Sequence, residues 1–203
     1  MTMSLISIRN SYEIKADGVE MDVSITLDEI PIMQHNPVDK ISGIPVHERK
    51  YQDSDLKFED VLKLNQDTTY IIDIKDTRLY SNICSIIVEL CYKYKCVDRC
   101  IFASFNEFRL LDLVDIEKML KIKIQKAYIT GNMLKDFISE KSKTFNLTHL
   151  IIYKFQVNGD IIKECHEKNI KVYVYTCNHH GLYNYLEKLG ANGIITDCPS
   201  DFI

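Results

Sequence analysis

The chain has no excess of basic residues: 25 Lys plus Arg stand against 29 Asp plus Glu. That balance supplies no sequence-independent attraction to a polyphosphate backbone, so nucleic acid is not an expected partner. Long apolar runs are missing as well. No stretch reaches the 18 or more apolar residues of a membrane helix, and the N-terminal MTMSLISIRNSYEIK lacks the apolar core of a secretory leader. The seven cysteines include no Cys-x-x-Cys and are odd in number, which argues against a fully paired disulfide framework. The expectation is a cytoplasmic protein with reduced thiols and no transmembrane segment. One alternative for Cys96 and Cys100 is a zinc site shared with His179 or His180; the other is that they are ordinary core and helix-face cysteines.

No Pro/Gly/Ser-rich linker or low-complexity run divides the sequence, so residues 1–203 form one expected domain. Its 46% hydrophobic and 27% charged residues are globular proportions. From Gly18 onward, short Val/Ile-rich runs alternate with helical patterns, the signature of repeated βα units around a parallel sheet. Strands are predicted over 18–25, 70–75, 100–104, 122–128, 149–152, 171–176 and 193–196. Between the second and third, Leu79, Ile83, Ile86, Leu90 and Tyr94 share one helical stripe. Segment 26–69 breaks the alternation and is expected to hold a hairpin and a loop. Ala16-Asp17-Gly18-Val19 and Ala191-Asn192-Gly193-Ile194 look like one helix-to-strand joint used twice.

Seven strands with intervening helices fall one short of an eight-stranded TIM-type βα barrel, whose typical length is about 250 residues. The chain opens on a helical pattern in which Leu5, Ile8 and Tyr12 share a face, so the barrel's first strand is expected to be absent.

Two carboxylates interrupt the first strand. Residues two apart in a strand point to the same side, so Glu20 and Asp22 face one way while Val19, Met21 and Val23 face the other. YIIDIK repeats the arrangement with Asp73 and Lys75 near the strand's C-terminal end, the end at which active sites of this architecture lie. Three converging carboxylates raise one another's pKa unless a cation sits among them. Oxygen ligands favour Mg2+ or Ca2+ as that divalent cation. The competing arrangement is a metal-free polar layer in which Lys75 pairs with the acids. His35, in QHNP, is a candidate general acid or base. Lys75 could instead meet a phosphate oxygen as a point charge. Of the other histidines, His179 and His180 follow a strand on the catalytic rim, His149 sits at the opposite rim, His166 lies on a polar helix, and His47 carries no signal.

The blocks ADGVEMDVSITLDEIPIMQHNP, LKFEDVL, YIIDIK, CIFASFNE and IKVYVYTCNHHGLYNYLEKLGANGIITDCPSDF resemble, in that order, those of the glycerophosphodiester phosphodiesterase family. The resemblance implies a βα barrel that hydrolyses glycerophosphodiesters to glycerol 3-phosphate and an alcohol, using a divalent cation and two histidines. It implies metal ligation by Glu20, Asp22 and Asp73, with Asp73 standing where the family has Glu. It also implies a catalytic role for His35 and substrate contacts from Lys75 and Tyr175, Tyr175 standing where the family commonly has Trp. Met1 to Ser4 align with the family's Pro-Glu-Asn-Thr region, so its first catalytic His, the adjoining Arg and one metal Glu have no counterparts here. The alternative is a catalytically impaired family member that serves as a binding module and self-associates through open strand edges.

Overall fold

A computed structural model describes residues 4–40, 42–64, 67–76, 78, 80–131 and 137–203. Met1 to Met3 and Leu79, which figured in the sequence expectations, lie outside the described residues. The chain divides into two compact units, one ending at Ile124 and one starting at Gln125.

The first unit opens with helix α1 (Leu5–Glu13), whose entry is fixed by a reciprocal cap: Ser7 N donates to Ser4 Oγ, and Ser4 N donates to Ser7 Oγ, both at 3.1 Å. Strands β1 (Gly18–Ile25), β2 (Pro31–Met33), β3 (Thr69–Ile74) and β4 (Cys100–Ser104) follow, with helices α2 (Phe58–Leu62), α3 (Ile83–Lys93) and α4 (Glu107–Leu120). The sheet order is β2-β1-β3-β4. β1, β3 and β4 run parallel, while β2 folds back on β1 antiparallel as the expected hairpin. Met21, Val23, Ile72 and Phe102 are completely buried. Burying each such side chain contributes roughly 1.5–3 kcal/mol.

The second unit repeats the alternation with β5 (Gln125–Thr130), α5 (Phe137–Phe145), β6 (His149–Tyr153), α6 (Gly159–Glu167), β7 (Lys171–Tyr175), α7 (His180–Leu189) and β8 (Gly193–Ile194). These strands are parallel neighbours in sequence order. Leu150, Ile152, Val172 and Val174 form its core with Ile162 and Leu186 from the helices.

The joint used twice is visible at both ends. Gly18 starts β1 where a Cβ would meet the Thr69 carbonyl oxygen at 3.0 Å, and Gly193 starts β8 where a Cβ would meet the Tyr173 ring at 3.1 Å. The preceding left-handed residue is Lys15 in one case and Gly190 in the other. With only seven glycines in the chain, lysine and asparagine take most of these helix exits: Lys95, Lys121, Asn146 and Asn169 all have positive φ just after a helix.

Two sequence expectations shift. The strand predicted over 122–128 occupies Gln125–Thr130, because residues 121–124 turn the chain out of α4, with Ile124 N donating to Glu117 Oε1 at 2.8 Å. α3 starts at Ile83 and buries Ile83, Cys84, Ile87, Val88 and Cys91, whereas Ile86, Leu90 and Tyr94 stay only partly covered. Both faces of this helix are apolar, so periodicity alone selects the wrong stripe.

Candidate active site

β1 and β3 are paired in register so that Asp22 lies directly beside Asp73 and Glu20 beside Ile71. Alternation along β1 buries Val19, Met21 and Val23 on one side and leaves Glu20 and Asp22 half-covered on the other. One ligand oxygen each from Glu20, Asp22 and Asp73 lies within 4.8 Å of the others. The acids therefore converge near the C-terminal end of the parallel strands, where this architecture places its chemistry.

Lys75 follows β3 and reaches back into the group. Its Nζ is 3.0 Å from Asp22 Oδ1 and 2.5 Å from Asp73 Oδ2. Asp73 is almost wholly buried, and its second carboxylate oxygen, Oδ1, has no hydrogen-bond partner. Burial pushes the Asp73 carboxyl up to about 6; the Asp22 charge adds to the rise, while Lys75 and the nearby His35 oppose it. Lys75 is drawn the other way: burial disfavours its ammonium, but Asp73 and Asp22 outweigh that and hold it charged to a higher pH than usual.

The surroundings of Lys75 are built from the CIFASFNE block and the hairpin loop. Ser104 Oγ donates to the Ile74 carbonyl at 2.9 Å, and Asn106 Nδ2 donates to the Asp76 carbonyl at 3.0 Å, tying the end of β4 to the end of β3. The turn so fixed holds the Phe105 ring with its centre 5.4 Å from Lys75 Nζ. Asp76 itself is buried and held by a two-pronged bond from Arg78, at 3.1 and 2.7 Å, and by the Ser81 hydroxyl.

His35 is exposed, 3.3 Å from Asn36 Oδ1 through Nδ1, and close enough to Asp73 to act on its charge. His47 carried no sequence signal, yet it lines a small hollow together with Ser24, Pro37, Lys75 and Asp76. It reaches that place because the 34–57 loop is clamped: Arg49 makes paired 2.7 Å bonds to the two oxygens of Asp55, and its backbone carbonyl accepts from Leu27 N at 2.8 Å. No spacing rule in the sequence signals this clamp.

Tyr175 belongs to the second unit, at the end of β7, where its ring centre is 5.6 Å from that of Tyr153 and its hydroxyl donates to the Thr130 carbonyl at 3.4 Å. The Thr-x-Asn and Ile-Thr-Asp motifs meet beside it. Asn178 Oδ1 accepts from Thr196 Oγ1 and from Asp197 N, both at 3.0 Å, while its Nδ2 donates to Asp197 Oδ2 at 2.9 Å. His179 caps the start of α7 without a side-chain bond, and His180 packs at a tilt against Phe202 with ring centres 5.1 Å apart. His166 bonds Asn192 through Nε2 at 2.9 Å. The side chains gathered with Cys96 and Cys100 include Cys91, and among the described residues no histidine belongs to that group.

Similarity to known proteins agrees with this layout. The sequence profile of the glycerophosphoryl diester phosphodiesterase family matches residues 54–201, and the chain belongs to that family. A glycerophosphodiester phosphodiesterase of Caldanaerobacter subterraneus subsp. tengcongensis is 22% identical over 98% of this chain and 90% of its own length. Among solved structures, a phosphodiesterase from Oleispira antarctica in complex with the product sn-glycerol-3-phosphate superposes with a TM-score of 0.85, at 17% identity, over 97% of this chain and 87% of its own. A glycerophosphodiester phosphodiesterase from Parabacteroides distasonis gives 0.83 at 21% identity, over 98% and 87%. The fold class is thus the α/β barrel of TIM type, here with a helix as its first described element and a hairpin and loop after β1. Among the described residues, no helix is long and apolar enough to cross a membrane.

Proposed function

We propose that this chain is a metal-dependent phosphoric diester hydrolase acting on glycerophosphodiesters, releasing glycerol 3-phosphate and an alcohol. The observation that carries the proposal is the meeting of Glu20, Asp22 and Asp73 with Lys75 on the rim of a parallel sheet, in a chain of this family. The donor set fits a hard divalent cation, Mg2+ or Ca2+: three carboxylates face one ammonium, and the buried Asp73 Oδ1 lacks a partner. Glu20, Asp22 and Asp73 would hold the ion, which when bound supplies electrophilic activation of the phosphodiester.

The protein's own groups divide the remaining work. Lys75 offers a fixed positive charge to a phosphate oxygen, kept protonated by its two carboxylate neighbours. His35 stands exposed at the mouth, where it can pass a proton between solvent and a reacting oxygen. Phe105 covers Lys75 on one side and lowers the local dielectric around it.

A second reading is favoured by Lys75 itself. Bridged to both Asp22 and Asp73, it already neutralises part of the acidic cluster, as a metal-free binding module would require. Self-association through strand edges belongs to this reading. The deciding experiment measures glycerol 3-phosphate release from glycerophosphocholine and glycerophosphoethanolamine with magnesium, calcium or chelator present. Cation-dependent release that is lost in Asp22→Ala supports the hydrolase. Binding of the diester without any release, equal with and without cation, supports the module.

A further inference from the structure

The first unit carries a second cluster of ligating side chains, at the other end of its sheet. Cys91 lies in the last turns of α3, Cys96 in the turn that follows, and Cys100 at the first residue of β4. Lys95, in the left-handed region, reverses the chain after α3, and Cys96 N donates to the Cys91 carbonyl at 2.9 Å to close the turn. Cys100 pairs with Tyr70 near the start of β3, three residues before Asp73, so the cluster and the carboxylates occupy opposite ends of parallel strands.

All three cysteines are at most 2% exposed, and their sulfur atoms lie within 4.8 Å of one another. Cys91 and Cys100 approach to 3.6 Å between sulfurs. Buried cysteine ordinarily behaves as a small apolar side chain and has no reason to seek another sulfur. Metal–sulfur bonds of about 2.3 Å place the sulfurs of one ion about 3.8–4.0 Å apart, so this trio needs only a small adjustment to share an ion. Among the described residues, no His, Asp or Glu joins the group.

We propose that Cys91, Cys96 and Cys100 form a binding site for a soft, thiophilic d10 cation, copper(I) or zinc(II), separate from the carboxylate site. Thiolate ligands select such ions over the hard cations suited to Glu20, Asp22 and Asp73. Copper(I) is satisfied by three sulfurs; zinc(II) would complete its shell with water or a backbone oxygen. Each thiol that ligates gives its proton to solvent, and no electron moves. Three thiolates leave one negative charge around a dication and two around a monocation, and Arg99 beside Cys96 opposes that charge. The Cys96 thiol donates to the Cys91 carbonyl at 3.4 Å and the Cys100 thiol to the Cys96 carbonyl at 3.1 Å, so the closed turn already holds these sulfurs inward beside Cys91. Lys95 and Asp98 are exposed on the same turn, so an ion has only one layer of chain to pass.

The test uses the full chain, reduced and stripped with chelator under anaerobic conditions, then titrated separately with zinc(II), copper(I) and cadmium(II). Expected are one ion per chain, a sulfur-to-cadmium charge-transfer absorption, proton release and a Tm that rises with ion concentration. Whichever of copper or zinc survives competition with the other identifies the ion. Cys96→Ser should weaken binding by at least about 100-fold, while Cys198→Ser, a thiol outside the cluster, and Asp22→Ala, in the carboxylate site, should leave it unchanged. Absence of the cadmium band in the unmutated protein overturns the proposal without relying on any variant to fold. Undiminished binding by Cys96→Ser overturns it too. Formation of a Cys91–Cys100 disulfide under mild oxidant, with no ion taken up by the reduced chain, would replace it with a redox pair.

Discussion

Lys75 stands between Asp22 and Asp73, with its ammonium 3.0 Å from one carboxylate and 2.5 Å from the other. The two acids are register partners on adjacent strands, so a single side chain spans the pair that a cation would have to share.

Replacing Lys75 by Met should therefore strengthen binding of magnesium or calcium by at least about tenfold. A unit charge a few ångströms away at an effective dielectric constant of about 20 is worth several kcal/mol, most of it opposing a second cation. Diester hydrolysis by the same variant should fall, since the phosphate loses its fixed partner. Calorimetry of the parent, Lys75→Met and Asp22→Ala proteins checks the first half; Asp22→Ala should show little heat. Equal affinity in all three would place the cation elsewhere.

The two histidines of the hairpin loop should separate kinetically. His35→Ala removes the proton-transfer group and should lower kcat by about 10²- to 10⁴-fold. His47 lines the hollow next to Lys75 and Asp76, beside the charge proposed to meet the phosphate, so His47→Ala should act mainly on KM. Steady-state assays of both variants decide this, and an equal kcat loss in the two would merge their roles.

His149 gives a pH-dependent stability. Burial, with a smaller contribution from Lys171, pushes its imidazole down to about 4, against an unfolded value near 6.5. Between those two values the unfolded chain binds a proton that the folded chain refuses, so stability rises with pH across the window and is fully present above about 6.5. The total is on the order of 3 kcal/mol. Urea denaturation at pH 4.5 and 7.5 should show this loss in the parent protein and a smaller one in His149→Gln.

Lys121 closes α4 at φ 54, a conformation that costs a side-chain-bearing residue about 1–2 kcal/mol and costs glycine nothing. Part of that gain returns as unfolded-state entropy, so Lys121→Gly should stabilise by roughly 0.5–1 kcal/mol, a rise in Tm of a few degrees. A thermal melt showing a lower Tm would mean that the lysine side chain stabilises the helix end.

Much of the carboxylate cluster is legible because strand alternation is a strict period of two: once Gly18–Ile25 and Thr69–Ile74 are strands, Glu20 and Asp22 must share a face. That Asp22 meets Asp73 and not a neighbour depends on register, which the packing of Met21 and Ile72 fixes and no local pattern reveals. Helices are less legible here. α3 is apolar on two sides, and only the sheet it covers decides that Cys84 and Cys91 turn inward while Ile86 and Leu90 do not. No sequence pattern marks Cys91 as a partner of Cys96 and Cys100, because a reversal at Lys95, not a ligand spacing, brings the three together. His47 was silent for a similar reason: its position rests on Arg49.

The clamp around Arg49 closes on its own segment. Asp39, Arg49 and Asp55 all lie within the loop that begins after β2 and carries both His35 and His47, and Arg49 reaches Asp39 at 3.5 Å and Asp55 at 2.7 Å. The side-chain clamp travels with the loop, and what moors the loop to the strands is a few bonds to its flanks: Leu27 N to the Arg49 carbonyl at 2.8 Å, Gln34 N to the Asp22 carbonyl at 3.0 Å and Tyr51 N to Asp28 Oδ1 at 2.9 Å. A replacement segment that kept those moorings could reshape the mouth of the site with the acids and Lys75 left in place, which makes that mouth the part of this scaffold most open to redesign.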